Sequence, residues 1–160
     1  MASDDLPLEP ASELGASSNP VGETPPDPGV RTRVLVVEDS PINQLVARRQ
    51  LERLGYDAVV VSTGHEALES FERMWSGLEP RVGAVLMDWQ LPGIDGLETT
   101  RRLRAAESER GCERTPVIAM TASAMVGDRD RCIAAGMDDF VTKPVQLDVI
   151  GDVLARWTHR

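Results

Sequence analysis

The sequence predicts an α/β domain built around a parallel five-stranded sheet. Short β-branched runs alternate with stretches of helical periodicity along most of the chain. The helical stretches run to about 10–15 residues, the length of a crossover, so the strands must be parallel and their connections right-handed. Four of the apolar runs end on reactive polar residues. Val34–Val37 leads to Glu38 and Asp39, Val82–Met87 to Asp88, Val117–Met120 to Thr121, and Phe140–Thr142 to Lys143 and Pro144. Open parallel sheets bind at the carboxyl ends of their strands, so these groups are expected to share one crevice. Lys143 is the only lysine among 17 basic residues, which makes its place there hard to read as a random surface charge.

Residues 1–30 hold six of the eleven prolines and hardly a periodic apolar position. Such a segment buries too little surface to offset its ordering entropy, and is expected to be a disordered, acidic tail or linker. The domain proper is expected over 31–160, where the pattern reads βα five times. The first strand is about 33–37. Ser40 then caps a helix with Pro41 at its first position, where a missing N–H costs nothing. That helix carries Ile42, Leu45, Val46, Leu51 and Leu54 and stops at Gly55. The second strand is about 57–61, and Thr63-Gly64-His65-Glu66 has the form of a capping box opening a helix that ends near Ser76-Gly77. The third strand is about 83–87. After it, Asp95-Gly96-Leu97-Glu98 has capping-box spacing for a helix near 96–108. The fourth strand is 116–120, its helix 126–135, and the fifth strand 139–142. A last helix sets Leu147, Ile150, Leu154 and Trp157 on one face.

Composition narrows the function. The formal net charge is −9, of which residues 1–29 supply −6 from six acids and no Lys or Arg; the remaining 20 acids and 17 bases leave −3. An acidic tail on a mildly acidic body disfavours nucleic acid and anionic membrane as direct partners. No apolar stretch approaches the roughly 20 residues of a membrane span, and the N-terminus lacks the basic start and apolar centre of a signal peptide. Cys112 and Cys132 have no metal-ligand spacing. A cytoplasmic location is expected.

The chemistry lies in the strand-end cluster. Glu38, Asp39 and Asp88 are expected within a few ångströms of one another, and three like charges there need a cation or raised pKa values. An all-oxygen set without His or Cys points to Mg²⁺. Three carboxylates, one Mg²⁺ and Lys143 sum to zero charge. A phosphoryl group on a side chain carries about −1.5 to −2, and a carboxylate joined to phosphate here would again be close to neutral. Such a site favours in-line phosphoryl transfer by positioning and charge stabilisation. Asp88, at the end of the central strand, is the natural acceptor.

Over about 32–158 the chain resembles the response-regulator receiver domains. The resemblance rests on Val36-Val37-Glu38-Asp39, Met87-Asp88, Leu91-Pro92-Gly93-Ile94-Asp95-Gly96, Met120-Thr121-Ala122 and Phe140-Val141-Thr142-Lys143-Pro144. It implies a CheY-like, flavodoxin-type (βα)5 fold, doubly wound, with strand order 2-1-3-4-5. It further implies that Asp88 accepts phosphate from a histidine. Asp39 and Asp88 would ligate Mg²⁺ directly, Glu38 mostly through water, and the Gln90 backbone carbonyl would add a ligand. Thr121 would bond the phosphoryl oxygen and move towards it, Lys143 would pair with it, Phe140 would be the switch aromatic, and the Lys143–Pro144 peptide would be cis. Glu38-Asp39-Ser40-Pro41-Ile42-Asn43-Gln44, Asp88-Trp89-Gln90-Leu91-Pro92 and Ala135-Gly136-Met137-Asp138-Asp139 look most like receivers of hybrid sensor histidine kinases. Those usually exchange phosphate with a histidine phosphotransfer domain.

Two departures stand out. Trp89 follows the acceptor where a smaller or flexible residue is usual, and Phe140 lacks a hydroxyl. Gln90 and Ser123 match the positions that tune phosphate loss. Elsewhere, His65 and His159 are expected as exposed helix residues, Trp75 and Trp157 as packing residues, and Arg101-Arg102-Arg104 as a solvated helix face. Two enzyme classes fail on Gln90. Haloacid-dehalogenase-type phosphatases need an Asp there as general acid and base, and the Toprim pattern needs Asp-x-Asp. A phosphorylation-independent docking module is the remaining alternative. Only sixteen residues follow Pro144, enough for one helix, so output is expected through a downstream protein target or onward phosphate transfer rather than an enzymatic activity. The expected partners are a sensor histidine kinase or a histidine phosphotransfer domain.

Overall fold

The structure is a computed structural model, and it describes residues 29–159. All but the last two residues of the expected tail therefore lie outside the described residues. The elements alternate as expected: β1 (Arg33–Val37), α1 (Pro41–Arg53), β2 (Asp57–Val61), α2 (Gly64–Trp75), β3 (Ala84–Asp88), α3 (Gly96–Arg110), β4 (Val117–Thr121), α4 (Asp128–Ala135), β5 (Asp139–Thr142) and α5 (Leu147–Thr158). The sheet is parallel throughout, in the order β2-β1-β3-β4-β5. That is the predicted order.

Residues on the central strands point alternately to the two faces, and each face is covered by helices. Val34, Val36, Ala84, Leu86, Ile118 and Met120 pack with Ala47 and Leu51 of α1 and with Ile150, Val153 and Leu154 of α5. The intervening Leu35, Val37, Val85, Met87, Val117 and Ala119 pack with α2, α3 and α4 through Phe71, Met74, Leu97, Leu103 and Cys132. Each fully buried Leu or Ile in these layers contributes about 1.5–3 kcal/mol. Burial on both faces explains why the strands read as continuous apolar runs. Among the described residues no helix is long and apolar enough to cross a membrane.

Local signals set the boundaries. Thr63 Oγ1 accepts the Glu66 N–H at 3.1 Å, while Glu66 reaches back to the Ser62 N–H at 2.6 Å, one residue earlier than a closed capping box requires. Asp95 Oδ1 caps α3 through the Glu98 N–H at 2.8 Å, but Glu98 turns its carboxylate to Arg101 and Arg102 instead of completing the box. α3 continues to Arg110 and ends at left-handed Gly111, two residues beyond the expected end. α4 begins at Asp128 rather than 126, because Gly127 enters it with φ 95°, outside the helical region.

The arginine cluster departs from expectation. Arg101 and Arg102 are solvated, whereas Arg104 lies under the sheet at the end opposite the crevice. Its guanidinium donates to Gly136 O (2.9 Å), Thr115 O (2.8 Å), Glu107 Oε2 (2.7 Å) and Asp138 Oδ2 (2.8 Å). Asp138 also accepts from Arg114 and from the Val117 N–H, and Glu107 Oε1 accepts the Thr115 N–H. One side chain thus ties α3 to the starts of β4 and β5.

Candidate functional site

The crevice at the carboxyl ends of the strands, about 870 Å³, gathers the predicted groups: Glu38, Asp39, Asp88, Gln90, Thr121 and Lys143 all line it. β1 runs into Glu38 and Asp39 at its carboxyl end, β3 ends on Asp88 itself, β4 ends on Thr121, and β5 runs into Lys143. The Trp89 N–H bonds Met120 O at 3.0 Å, so the chain leaving Asp88 is held against β4. α3 can start close to Asp88 only because residue 96 is glycine. A Cβ there would sit 2.2 Å from the Asp88 carbonyl oxygen.

Ligand atoms of Glu38, Asp39 and Asp88 lie within 4.8 Å of one another. Lys143 Nζ neutralises part of this charge, at 2.8 Å from Glu38 Oε2 and 2.9 Å from Asp88 Oδ2. Glu38 is also fixed through Oε1 by the Ser40 N–H (3.2 Å) and Asn43 Nδ2 (3.4 Å). Gln44 Nε2 holds the Glu38 carbonyl (2.6 Å) and Ser62 Oγ (3.0 Å). Asn43 and Gln44 thus have positioning roles that the sequence reading did not assign, because the contact to Ser62 depends on the β2–α2 loop. Asp39 is exposed, and Asp88 and Glu38 are buried.

Burial opposes ionisation of Glu38, but Lys143, the Ser40 N–H and Asn43 outweigh it and hold the carboxyl below its usual range. Burial also acts on Asp88. There the Lys143 ammonium and the Gln90 N–H (3.1 Å to Oδ1) do not fully offset it, Glu38 adds repulsion, and the carboxyl is raised. Burial pulls Lys143 down, yet the two carboxylates raise it above its usual value. A raised Asp88 means that its ionised form costs folding stability. That cost is absent in acid and develops as pH rises through the carboxylate range. Without divalent metal, Asp88→Asn should therefore be more stable than wild type by about 1–2 kcal/mol at neutral pH, with the gain shrinking towards acid. Urea titrations of both proteins across pH check this.

The Thr121 hydroxyl is turned into its own loop, donating to Ser123 O at 2.7 Å and accepting the Ser123 N–H at 3.2 Å. Phe140 is half-buried against the α2–α4 layer. The Lys143–Pro144 peptide is cis. His65 and His159 are exposed, although His159 follows α5 rather than belonging to it. Trp75 packs on the core edge, and Trp157 packs and also donates to Asp139 Oδ2 at 3.0 Å. Trp89 stands at the mouth of the crevice beneath Arg131 of α4.

Residues 34–155 match the family model for the response regulator receiver domain. The chain belongs to that family. This receiver domain is 37% identical over 134 residues to the sensor protein GacS of Pseudomonas syringae pv. syringae, covering 84% of the chain but only 14% of that protein. Its fold is close to that of the receiver domain of the sensor histidine kinase PA1611 from Pseudomonas aeruginosa, solved with magnesium coordinated in the active-site cleft. The TM-score is 0.70 at 40% identity, over 82% of this chain and all of that one. A second neighbour is the receiver domain of the Saccharomyces cerevisiae response regulator Ssk1, solved with the histidine phosphotransfer protein Ypd1. There the TM-score is 0.72 at 26% identity, over 81% and 90% of the two chains. Membership assigns the domain to two-component phosphorelay signalling.

Proposed function

We propose that the domain accepts a phosphoryl group from a phosphohistidine onto Asp88, catalysing only its own phosphorylation and dephosphorylation. The observation that carries this reading is Lys143 held between Glu38 and Asp88, at the one place where four strand ends meet. A carboxylate oxygen of Asp88 bonds to phosphorus as the P–N bond to the imidazole breaks, and the imidazole keeps that electron pair and takes up a proton. Lys143 then shifts its hydrogen bonds from the carboxylates to the phosphoryl oxygens. Thr121 exchanges its bond to Ser123 O for one to the phosphoryl oxygen, and Phe140 follows into the space vacated. This two-state rearrangement biases the surface formed by α4, β5 and α5, through which a downstream protein reads the domain.

An oxygen-only donor set of this compactness fits Mg²⁺. Asp39 and Asp88 would bind it directly, Glu38 through water, and the Gln90 carbonyl would complete the protein's share. When bound, Mg²⁺ supplies charge compensation for the oxygens of the transferred group. The domain works in the cytoplasm, alone or within a longer sensor protein.

The phosphohistidine must come from a protein surface large enough to bury the crevice rim. α1 presents Ile42, Leu45 and Val46 to solvent at 75, 49 and 48% exposure, beside the crevice. These apolar side chains, spread over the helix surface rather than turned to the core, form the docking face for a histidine phosphotransfer domain. Ile42→Asp with Leu45→Asp should slow transfer from such a domain about tenfold or more while leaving loading from a small acyl phosphate unchanged. Stopped-flow or radiolabel transfer assays separate the two rates.

The reading as a whole is tested by intact-mass spectrometry after exposure to a small acyl-phosphate donor. One phosphoryl adduct is expected with Mg²⁺ and none after chelation. Absence of an adduct from both the small donor and a phosphorylated histidine partner would leave a docking module without phosphoryl chemistry.

A further inference from the structure

Arg131 is a cation at the mouth of the crevice for which the chemistry above has no use. Its guanidinium carbon lies 5.1 Å from the centroid of the Trp89 ring, and both side chains line the cavity that holds Asp88 and Lys143. Among the described residues no carboxylate forms an ion pair with it. Asp128 and Asp95 share the same mouth, but Asp128 accepts the Met125 N–H at 3.0 Å and Asp95 the Glu98 N–H at 2.8 Å. An exposed stack of guanidinium on indole is weak beside a charge-assisted pair with phosphate oxygens. Phosphorylation replaces one carboxylate charge by about −1.5 to −2, so the crevice gains negative charge when Asp88 is loaded.

We propose that Arg131 is a second phosphoryl-binding residue, held in reserve on Trp89. This rests on the receiver chemistry proposed for Asp88. On loading, the guanidinium leaves the ring and takes a forked pair of hydrogen bonds on the phosphoryl oxygens from the side opposite Lys143. Its helix is able to follow. α4 is only eight residues long, is flanked by left-handed Gly127 and Gly136, and has no side-chain cap at its start. Arg131 therefore couples the charge on Asp88 to the position of α4, and Trp89 defines the unphosphorylated state by storing the arginine.

The test uses beryllofluoride with Mg²⁺, a phosphoryl mimic that does not turn over, titrated into the whole domain at low ionic strength. Arg131→Ala should bind it about 5- to 10-fold more weakly than wild type, with a shallower salt dependence. Arg131→Lys, which keeps the charge but not the fork, should recover only part of the loss. Arg129→Ala, exposed on the same helix but outside the cavity, should bind as wild type does. Amide exchange across 128–135 should slow on binding in wild type and not in Arg131→Ala. Equal affinity of wild type and Arg131→Ala, or equal losses in Arg131→Ala and Arg129→Ala, would overturn the proposal. Failure of wild type to bind beryllofluoride would instead overturn the receiver chemistry beneath it.

Discussion

Lys143→Met is expected to lose about 2–3 kcal/mol of stability at neutral pH without divalent metal, and at least 100-fold in the rate of Asp88 phosphorylation. The stability loss follows from burial. The side chains of Glu38 and Asp88 are 2% and 7% exposed, and Lys143 is the cation that bonds both. Removing one partner of a buried pair costs about 3–5 kcal/mol, reduced here because Lys143 is itself 24% exposed. The pH dependence has a definite sign. Glu38 is lowered in the folded protein, so its contribution is present above the unfolded carboxylate range and is lost as pH falls through the folded value. The gap between wild type and Lys143→Met should therefore close in acid, as urea titrations at neutral and acidic pH would reveal. On the proposed chemistry the rate loss follows from removing a preorganised charge that would meet the oxygens of the transferred group, a change that commonly costs 10²–10³.

Arg104→Met should be the most damaging substitution away from the crevice, at about 3–5 kcal/mol, because it leaves Glu107 and Asp138 buried around a missing cation. Arg114 still pairs with Asp138, but it is 54% exposed and contacts a different carboxylate oxygen. For a domain of this size the loss corresponds to a fall in Tm on the order of 10 °C, measurable by scanning calorimetry. The network sits at the opposite end of the sheet. Below its lowered transition, the variant should still load phosphate at the wild-type rate. That separation of stability from chemistry tells a structural cation from a functional one.

The contrast between these two residues shows what the sequence makes legible. Lys143 is readable because a strand dictates where its last residue points, and a polar group ending an apolar run has to emerge at one edge of the sheet. The same logic places Glu38, Asp39, Asp88 and Thr121 at that edge, where they line one crevice. Arg104 is harder because a helix offers three faces and charge usually selects the solvated one. The signal was nonetheless present. Thr100, Leu103 and Glu107 form a buried stripe on α3, and Arg104 lies four residues from the first and three from the last. An acid and an arginine three apart on the inward edge of a helix mark a buried pair.

Other features depend on contacts between distant segments, and no local pattern encodes them. Gln44 of α1 meets Ser62 of the β2–α2 loop, and Arg131 meets Trp89 between the β3–α3 loop and α4. The Thr121 hydroxyl closing on Ser123 is set by the path of the β4–α4 loop. α4 is the least legible element for a physical reason. Only Cys132 and Ala135 are buried on it, while Ile133 is 57% exposed, so its apolar pattern fits no single helix face.

The central claim is that Asp88 is the residue that carries the phosphoryl group. Borohydride reduces an aspartyl phosphate to homoserine and leaves free carboxylates untouched. The direct measurement is therefore peptide mass spectrometry of the domain treated with a phosphorylated histidine partner, Mg²⁺ and then borohydride. Homoserine at position 88 alone, and none anywhere in Asp88→Asn, is the predicted result. Homoserine at Asp39 or another aspartate in the wild type, or unmodified protein after a donor that demonstrably loses its phosphate to the domain, would contradict it.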